Sequence, residues 1–264
     1  AMNAKKQYGI PFSVTWHGSD IHTAPWNSYS DRKKITEIIK SADINYFVSN
    51  ALCKLSDKLV RTNNKKVLHN GCDRRFIKYN DSERQRLRDE FHVSDKIVLS
   101  FAGNLIDIKN VLLLPQIFEI VHKHIANTVL WVFGSGKLKH QMEESSKKLP
   151  VVFWGDKSPD KMPDFLNCTN LLLLPSKNEG LPLVLVEALN CGCKAVGSNV
   201  GGIKEIIGAE NVVNYPSNDF VEKFAEKVIY RLSSNEQTAE FETNDDFSWE
   251  HANLIEDSDI KRFI

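Results

Sequence analysis

The sequence is short of most features that would assign a function quickly. Across 264 residues it carries no net charge, with 34 Lys+Arg against 34 Asp+Glu. Such a balance supplies no field to attract a polyanion, so a nucleic-acid-coating role is disfavoured and any phosphate contact is expected to be local. Its five cysteines, Cys53, Cys72, Cys168, Cys191 and Cys193, are odd in number and include no CxxC pair, which argues against a disulfide framework and a zinc cluster and for a reducing cytoplasm. No apolar run approaches the ~18 residues of a bilayer span, stretches such as Leu171 to Leu174 being among the longest. The opening Ala1-Met2-Asn3-Ala4-Lys5-Lys6 lacks the apolar core of a secretion signal and reads as a tag remnant before an initiator Met. There is no GxSxG elbow, no GxxxxGK[ST] loop, no HExxH, and no Asp-x-Asp at the end of a candidate strand, since Asp257-Ser258-Asp259 lies in the tail. No metal site is therefore expected, and no cofactor.

What is present is an alternation. Short apolar runs rich in β-branched and aromatic residues, Phe12 to Trp16, Tyr46 to Ser49, Lys66 to Leu68, Ile97 to Ala102, Thr128 to Phe133, Val151 to Trp154, Asn170 to Leu174 and Ala195 to Ser198, are separated by segments of helical period. That pattern predicts an α/β fold with parallel strands buried on both faces. Helices are expected over Arg32 to Ser41, Ala51 to Leu59, Ser82 to Phe91, Leu112 to His124, Leu138 to Leu149, Met162 to Asn167, Pro182 to Asn190, Ile203 to Gly208 and Asp219 to Ser233. Asp219 is placed as a helix start and Asn190-Cys191-Gly192 as a glycine stop. The polar stretch Ser234 to Asp246 is expected to be a loose connector.

Charged and polar residues interrupt the apolar pattern around Asp73 to Glu83 and place a boundary there. Residues 80–264 hold enough strands for a complete doubly wound domain with a tail helix. Residues 1–79 hold three at most, without the glycine-rich first turn of such a domain, and make a partial one.

Four segments could carry chemistry. In Pro175 to Glu187, two carboxylates stand eight apart, Glu179 in a Gly/Pro turn after a strand and Glu187 one turn into the next helix. The amides of Gly180, Leu181 and Leu183 at that helix start, with the helix dipole, form an anion site. Carboxylates beside an anion site would repel phosphate if aimed at it, and are better suited to accept from hydroxyls on either side. Hydroxyls, a diphosphate and more hydroxyls describe a nucleotide sugar. The plainer alternative is that Glu179 caps the helix and Glu187 lies on a solvated face. In Phe101 to Lys109, Gly103 lets backbone approach a ligand and Lys109 can reach a phosphate, or is simply an exposed lysine on a loop. Gly134-Ser135-Gly136 is only GxG, a weak dinucleotide signal. His17, in Trp16-His17-Gly18-Ser19-Asp20, sits at a strand end beside a glycine and can act on a substrate hydroxyl or be structural; His22 has no comparable setting.

Taken in order, His17-Gly18-Ser19-Asp20, Ala42-Asp43, Val48-Ser49, His69-Asn70-Gly71-Cys72-Asp73 with Phe76, Phe101-Ala102-Gly103 with Lys109, Gly134-Ser135-Gly136, Gly155, Pro175-Ser176, Glu179 to Glu187, Gly201-Gly202 with Glu205, and Phe247-Ser248-Trp249-Glu250 resemble the family-4 retaining glycosyltransferases, with their Glu-x7-Glu motif. The resemblance implies a GT-B architecture of two doubly wound domains facing across a cleft, here truncated at the N-terminus. It implies donor-binding roles for Glu187, Gly180, Leu181, Leu183, Gly103 and Asn104, with Glu187 on the ribose. Glu179 would meet the donor sugar, Lys109 the departing diphosphate, and His17 the reacting sugar from the other domain. It implies a UDP- or GDP-sugar donor, a glycan or lipid-linked acceptor, polysaccharide or glycolipid biosynthesis, and a cytoplasmic location with peripheral contact at the inner face of the membrane. Three positions depart from the family pattern: Asn104 replaces an arginine, Asn110 follows Lys109 in place of glycine, and Pro182 removes one N–H donor. These leave two alternatives open, a non-catalytic nucleotide-sugar-binding relative or partner subunit, and a nucleotide-sugar epimerase.

Overall fold

A computed structural model describes residues 1–234 and 245–263. The expected connector, Ser234 to Asp246, falls almost wholly outside them. The elements in chain order are α1 (Met2–Tyr8), β1 (Ser13–Trp16), α2 (Ser19–His22), α3 (Ala24–Asn27), α4 (Tyr29–Ser41), β2 (Ile44–Phe47), α5 (Asn50–Ser56), β3 (Lys65–Val67), α6 (Asp81–Glu90), β4 (Ile97–Ala102), α7 (Leu114–His124), β5 (Thr128–Phe133), α8 (Lys139–Ser145), β6 (Val151–Gly155), α9 (Met162–Cys168), β7 (Leu171–Leu174), α10 (Leu183–Asn190), β8 (Lys194–Ser198), α11 (Ile203–Ile207), β9 (Val212–Val213), α12 (Phe220–Ser233) and α13 (Trp249–Ile260). No helix among the described residues is long and apolar enough to cross a membrane.

The strands form two parallel sheets, a three-stranded one of order β1-β2-β3 and a six-stranded one of order β6-β5-β4-β7-β8-β9. The second order reverses direction between β4 and β7, the switch point of a doubly wound sheet, where a crevice opens outside the carboxyl ends of the strands. Side-chain alternation shows why the strands are apolar on both faces. Leu99 and Phe101 of β4, with Leu130 and Val132 of β5, join the main core. Val98, Val129, Trp131 and Phe133 point the other way, into an aromatic cluster with Phe165. The small sheet repeats the logic: Trp16 and Phe47 pack with Ile35, Ile39 and Leu52 of α4 and α5, whereas Ile44 and Tyr46 face Ala252 of α13.

Four helix starts carry side-chain caps. Ser28 Oγ accepts from Asp31 N, Ser49 Oγ from Leu52 N, Asn80 Oδ1 from Glu83 N and Ser248 Oγ from His251 N. Asp219 precedes α12 as expected but makes no cap bond; its carboxylate pairs with Lys223 at 2.7 Å instead. Gly192, at φ 82, ends α10 in the left-handed conformation that favours glycine. The reading of the sequence passed over α1, α2, α3 and the two-residue β9. The first three are short, and a single turn carries no periodicity to detect.

The two sheets are separated by the segment between β3 and β4, in which Asn80 caps α6 and Ile77 and Tyr79 already bond to Asn167 of α9. The tail helix requires a correction. Grouped with residues 80–264, α13 in fact packs on the small sheet: Tyr46 Oη donates to Asp259 at 2.9 Å, and Lys66 pairs with the same carboxylate. Its apolar residues Ala252 and Ile255 cover the face of β2 that α4 and α5 leave bare. The balanced charge also separates. Residues 1–79 hold 14 Lys+Arg against 6 Asp+Glu, and residues 80–264 hold 20 against 28. The absence of a long-range field holds for the sum and fails for each part.

Glu205 of α11 ties the two units together. Its carboxylate accepts from Asn50 N and Ala51 N, both at 2.8 Å, at the N-terminus of α5, where Ser49 Oγ already takes Leu52 N, and lies 3.5 Å from His69 Nε2. Burial opposes its charge, yet the nearby His69 ring and the hydrogen bonds from these amides prevail and hold its pKa at about 2, below the ordinary 4.5. A depressed carboxylate pKa gives stability that is complete above the ordinary value and lost as pH falls through the folded one. Glu205→Gln is therefore expected to cost about 2 kcal/mol at neutral pH, and the two unfolding free energies should converge as pH falls from near 5 to near 2; a pH series of urea melts checks it.

Candidate functional site

The carboxyl edges of both sheets face each other, and the loops leaving β1, β4, β5, β6 and β7 meet there. The turn after β4 and the turn after β7 are laced together. Lys177 N donates to Ile108 O at 2.8 Å, and Lys177 Nζ pairs with Asp107 at 2.7 Å. Lys109 Nζ spans both oxygens of Glu179, at 2.7 and 2.9 Å, and Ser176 Oγ donates to Glu179 Oε1 at 2.7 Å. Only 8% of Glu179 is exposed, so this buried carboxylate is satisfied by a counter-ion and a hydroxyl and does not cap α10. The residue before α10 is Pro182, and no side chain caps that helix.

Gly180 brings the two units into backbone contact. A β-carbon there would collide with the carbonyl oxygen of His17, and one at Gly18 would meet Gly180 Cα at 3.6 Å. The ring of His17 is exposed at this seam, its Nδ1 3.4 Å from Asn70 Nδ2. The Gly18 amide donates to Asp20 at 2.8 Å, which fixes the turn.

Beside the seam is a cleft of about 260 Å³ lined by Ala102, Gly103, Asn104, Phe133, Gly134, Asp156, Lys157, Met162, Val184 and Glu187. Glu187 is largely buried and has no ion-pair partner among the described residues, and desolvation, then the nearby Asp73 carboxylate, push its pKa up to about 7. Its side chain thus lines a cavity able to hold a ligand while burial penalises its charge.

The structure assembles the expected residues in two groups. Gly103, Asn104 and Glu187 line the cleft. His17, Lys109, Glu179 and Gly180 form the seam, with buried Leu181 beside Gly202 and half-buried Leu183 opening α10. Lys109 joins the groups, since a β-carbon on Gly103 would lie 4.0 Å from its Cε. The glycines of Gly134-Ser135-Gly136 serve packing: β-carbons there would collide with the carbonyl oxygens of Gly103 and Leu105.

Sequence comparison identifies the lineage of this crevice. Residues 96–234, more than half of the chain, match the family described as Glycosyl transferases group 1. The chain belongs to the group 1 glycosyl transferases. Its similarity extends to N-acetyl-alpha-D-glucosaminyl L-malate synthase of Bacillus anthracis, 30% identical over 212 residues, covering 77% of this chain and 54% of that protein. It extends also to lipopolysaccharide 1,2-N-acetylglucosaminetransferase of Salmonella typhimurium, 26% identical over 196 residues, 66% of this chain and 50% of that one. The chain thus spans about half the length of these curated relatives. Among solved structures, Anabaena HepE in complex with UDP superposes with a TM-score of 0.83 over 99% of this chain and 75% of that one, at 17% identity. The shared architecture is the GT-B fold.

Within this group 1 crevice, the reading of the sequence missed several residues. Val184, Asp156, Lys157 and Met162 line the cleft because the ends of β6 and α10 converge on it; only the register of the sheet shows that. His22, set aside as featureless, is half-buried in the seam. Its Nδ1 lies 2.8 Å from Thr23 Oγ1 and its Nε2 would be 3.1 Å from a β-carbon on Gly18. Burial lowers its pKa, against the opposing pull of Asp20 and Glu179. The one-turn helix α2 places it there, and a four-residue helix leaves no pattern in sequence.

Gly180→Ala is expected to cost about 2 to 3 kcal/mol through overpacking against the His17 carbonyl. Gly9→Ala, where a β-carbon meets nothing within 4 Å, should cost less despite the positive φ of 70°. Chemical denaturation of the two variants measures the difference.

Proposed function

We propose that this chain provides the donor cleft and reacting seam of a retaining glycosyltransferase, moving a hexosyl or N-acetylhexosaminyl group from a nucleotide sugar to a glycan or lipid-linked acceptor in polysaccharide or glycolipid biosynthesis. The observation that carries the proposal is the arrangement at the β4/β7 switch point: an unpaired, largely buried Glu187 on one side of the cleft, and the Lys109–Glu179 pair at its edge. A carboxylate in that setting is served by a ligand that brings hydroxyl donors, as a ribose does. The amides opening α10 and the ammonium of Lys109 would meet the diphosphate without calling on a metal.

The chemistry follows from charge. In transfer with retention the acceptor hydroxyl enters on the face the diphosphate leaves, so stabilising the departing oxygens is the main task. Lys109 is held by Glu179 until a diphosphate competes for it. Once the ammonium turns to phosphate, the freed Glu179 oxygens accept from hydroxyls of the transferred sugar. His17, exposed at the seam, is placed to orient the acceptor or the developing positive character on the sugar ring. The relatives' names, both built on N-acetylglucosaminyl groups, and the UDP in HepE favour a uridine donor over a guanosine one.

Asn104, an uncharged residue on the cleft wall, favours a second reading in which the donor is bound but not turned over. Slow donor hydrolysis or transfer that disappears in His17→Ala decides for the enzyme.

A nucleoside diphosphate at 100 times its dissociation constant should stabilise the protein by about 2.7 kcal/mol, read as a rise in Tm. Glu187→Ala and Lys109→Ala should each reduce the rise, and no shift with any nucleoside diphosphate would overturn the proposal. Glu179→Gln should have the opposite effect on the diphosphate alone: releasing Lys109 tightens its binding several-fold while sugar transfer is lost.

Binding should also depend on pH through Glu187. Its proton, held up to about pH 7 in the empty cleft, must leave before the carboxylate accepts from a ribose, so affinity rises with pH. A nucleotide sugar, whose diphosphate does not titrate in this range, should bind about tenfold more weakly at about pH 6 than at about pH 8. Glu187→Gln should flatten that profile in calorimetric titrations.

A further inference from the structure

One titratable side chain at the seam has no part in the chemistry above. His22 closes the single turn α2, and that turn is firmly held. The His22 amide donates to Gly18 O at 2.9 Å, Ile21 beside it is fully buried in the core, and Trp26 Nε1 donates to the Ile21 carbonyl at 3.0 Å. The ring itself is half-buried. Its Nδ1 lies 2.8 Å from Thr23 Oγ1, and its Nε2 makes no hydrogen bond to any described residue.

That nitrogen borders the reacting seam. A β-carbon on Gly18 would lie 3.1 Å from Nε2 and 3.6 Å from Gly180 Cα, so the ring and the Gly180 backbone share the gap that a side chain at Gly18 would fill. The charges of Glu179 and Lys109 both act on the ring, together with that of Asp20 from its own turn. Glu179 and Lys109 are the pair that the proposed donor would part, leaving the Glu179 oxygens to the transferred sugar. His17, by contrast, is exposed, with its Nδ1 toward Asn70. Burial lowers the pKa of His22 below 6.5 against the pull of Asp20 and Glu179, so the ring is neutral at neutral pH. A neutral imidazole offers a phosphate no charge. A hydroxyl both donates and accepts, and so satisfies Nε2 in either tautomer.

We propose that His22 is a specificity residue for the transferred sugar: its Nε2 hydrogen-bonds one sugar hydroxyl beside Glu179, and the seam thereby favours donors that carry this hydroxyl over deoxy analogues. Thr23 is its positioning residue, holding Nδ1 so that Nε2 stays turned to the seam. The inference rests on the glycosyltransferase reading and adds to it a sugar contact made by neither acid of the loop from Pro175 to Glu187.

The test is calorimetric titration of the full chain with UDP, UDP-N-acetylglucosamine and the 3-, 4- and 6-deoxy forms of that donor, or with GDP and the matching GDP-mannose series if GDP alone raises Tm. The variant is His22→Phe, which keeps a ring and offers no hydrogen bond. The nucleoside diphosphate should bind both proteins alike. The nucleotide sugar should bind His22→Phe about fivefold more weakly. For one deoxy donor the two proteins should bind equally, because the group that the histidine meets is already gone. Thr23→Val, which frees the ring without altering the seam, should weaken the nucleotide sugar but not the nucleoside diphosphate, and serves in place of His22→Phe should the latter fail to fold by circular dichroism. Equal weakening of nucleoside diphosphate and nucleotide sugar, a loss of the same size with every deoxy donor, or no loss at all overturns the inference and leaves the donor cleft standing. So does a loss confined to the acceptor's KM with donor affinity intact, since the ring would then meet the acceptor. A wild-type chain that binds no nucleoside diphosphate overturns the glycosyltransferase reading itself, and this inference with it.

Discussion

The structure depends on the close approach of two sheet edges at Gly180. Parallel sheets gather their strand-to-helix turns at one edge, and each of the two units here offers such an edge. Bringing the edges together requires a residue whose α-carbon can rest on the opposing backbone, and the His17 carbonyl occupies the place of a side chain at Gly180. From that contact follow the burial of Glu179, its need for Lys109 and Ser176, and the position of His17 over the seam. Glu205 fastens the same arrangement from outside by capping a helix of the other unit.

Electrostatics divides the two acids of the switch-point loop. Glu179 has a counter-ion and Glu187 has none, though both lie within one short segment. Glu179 can be released only by something that competes for Lys109, whereas Glu187 gains only from something that donates to it. The proposed ligand, a diphosphate between two hydroxyl-bearing groups, meets both conditions and would join the cleft and the seam into one site.

Periodicity and turn chemistry carried the reading of sequence a long way. The five strands from Ile97 to Ser198 were located to within a residue or so, because strands covered on both faces are continuous apolar runs. The loop from Pro175 to Glu187 stood out by its glycine, prolines and spaced carboxylates. Short elements escaped: α2, which carries His22, is a single turn, and β9 is two residues. Whole-chain composition also concealed the opposite charges of the two units, because addition removes sign wherever the parts are not yet known.

The sequence by itself determined the α/β class and the residue types gathered at the crevice, since these follow from local pattern and from the backbone freedom of glycine. Only the tertiary structure decided that Lys109 binds Glu179, that Asp156, Lys157 and Val184 share a cleft with Glu187, that α13 returns to cover the small sheet, and that His22 borders the seam at Gly180. Each of these joins residues distant along the chain, and such neighbours are set by sheet register and by the burial of complementary faces, neither of which any local stretch of sequence encodes.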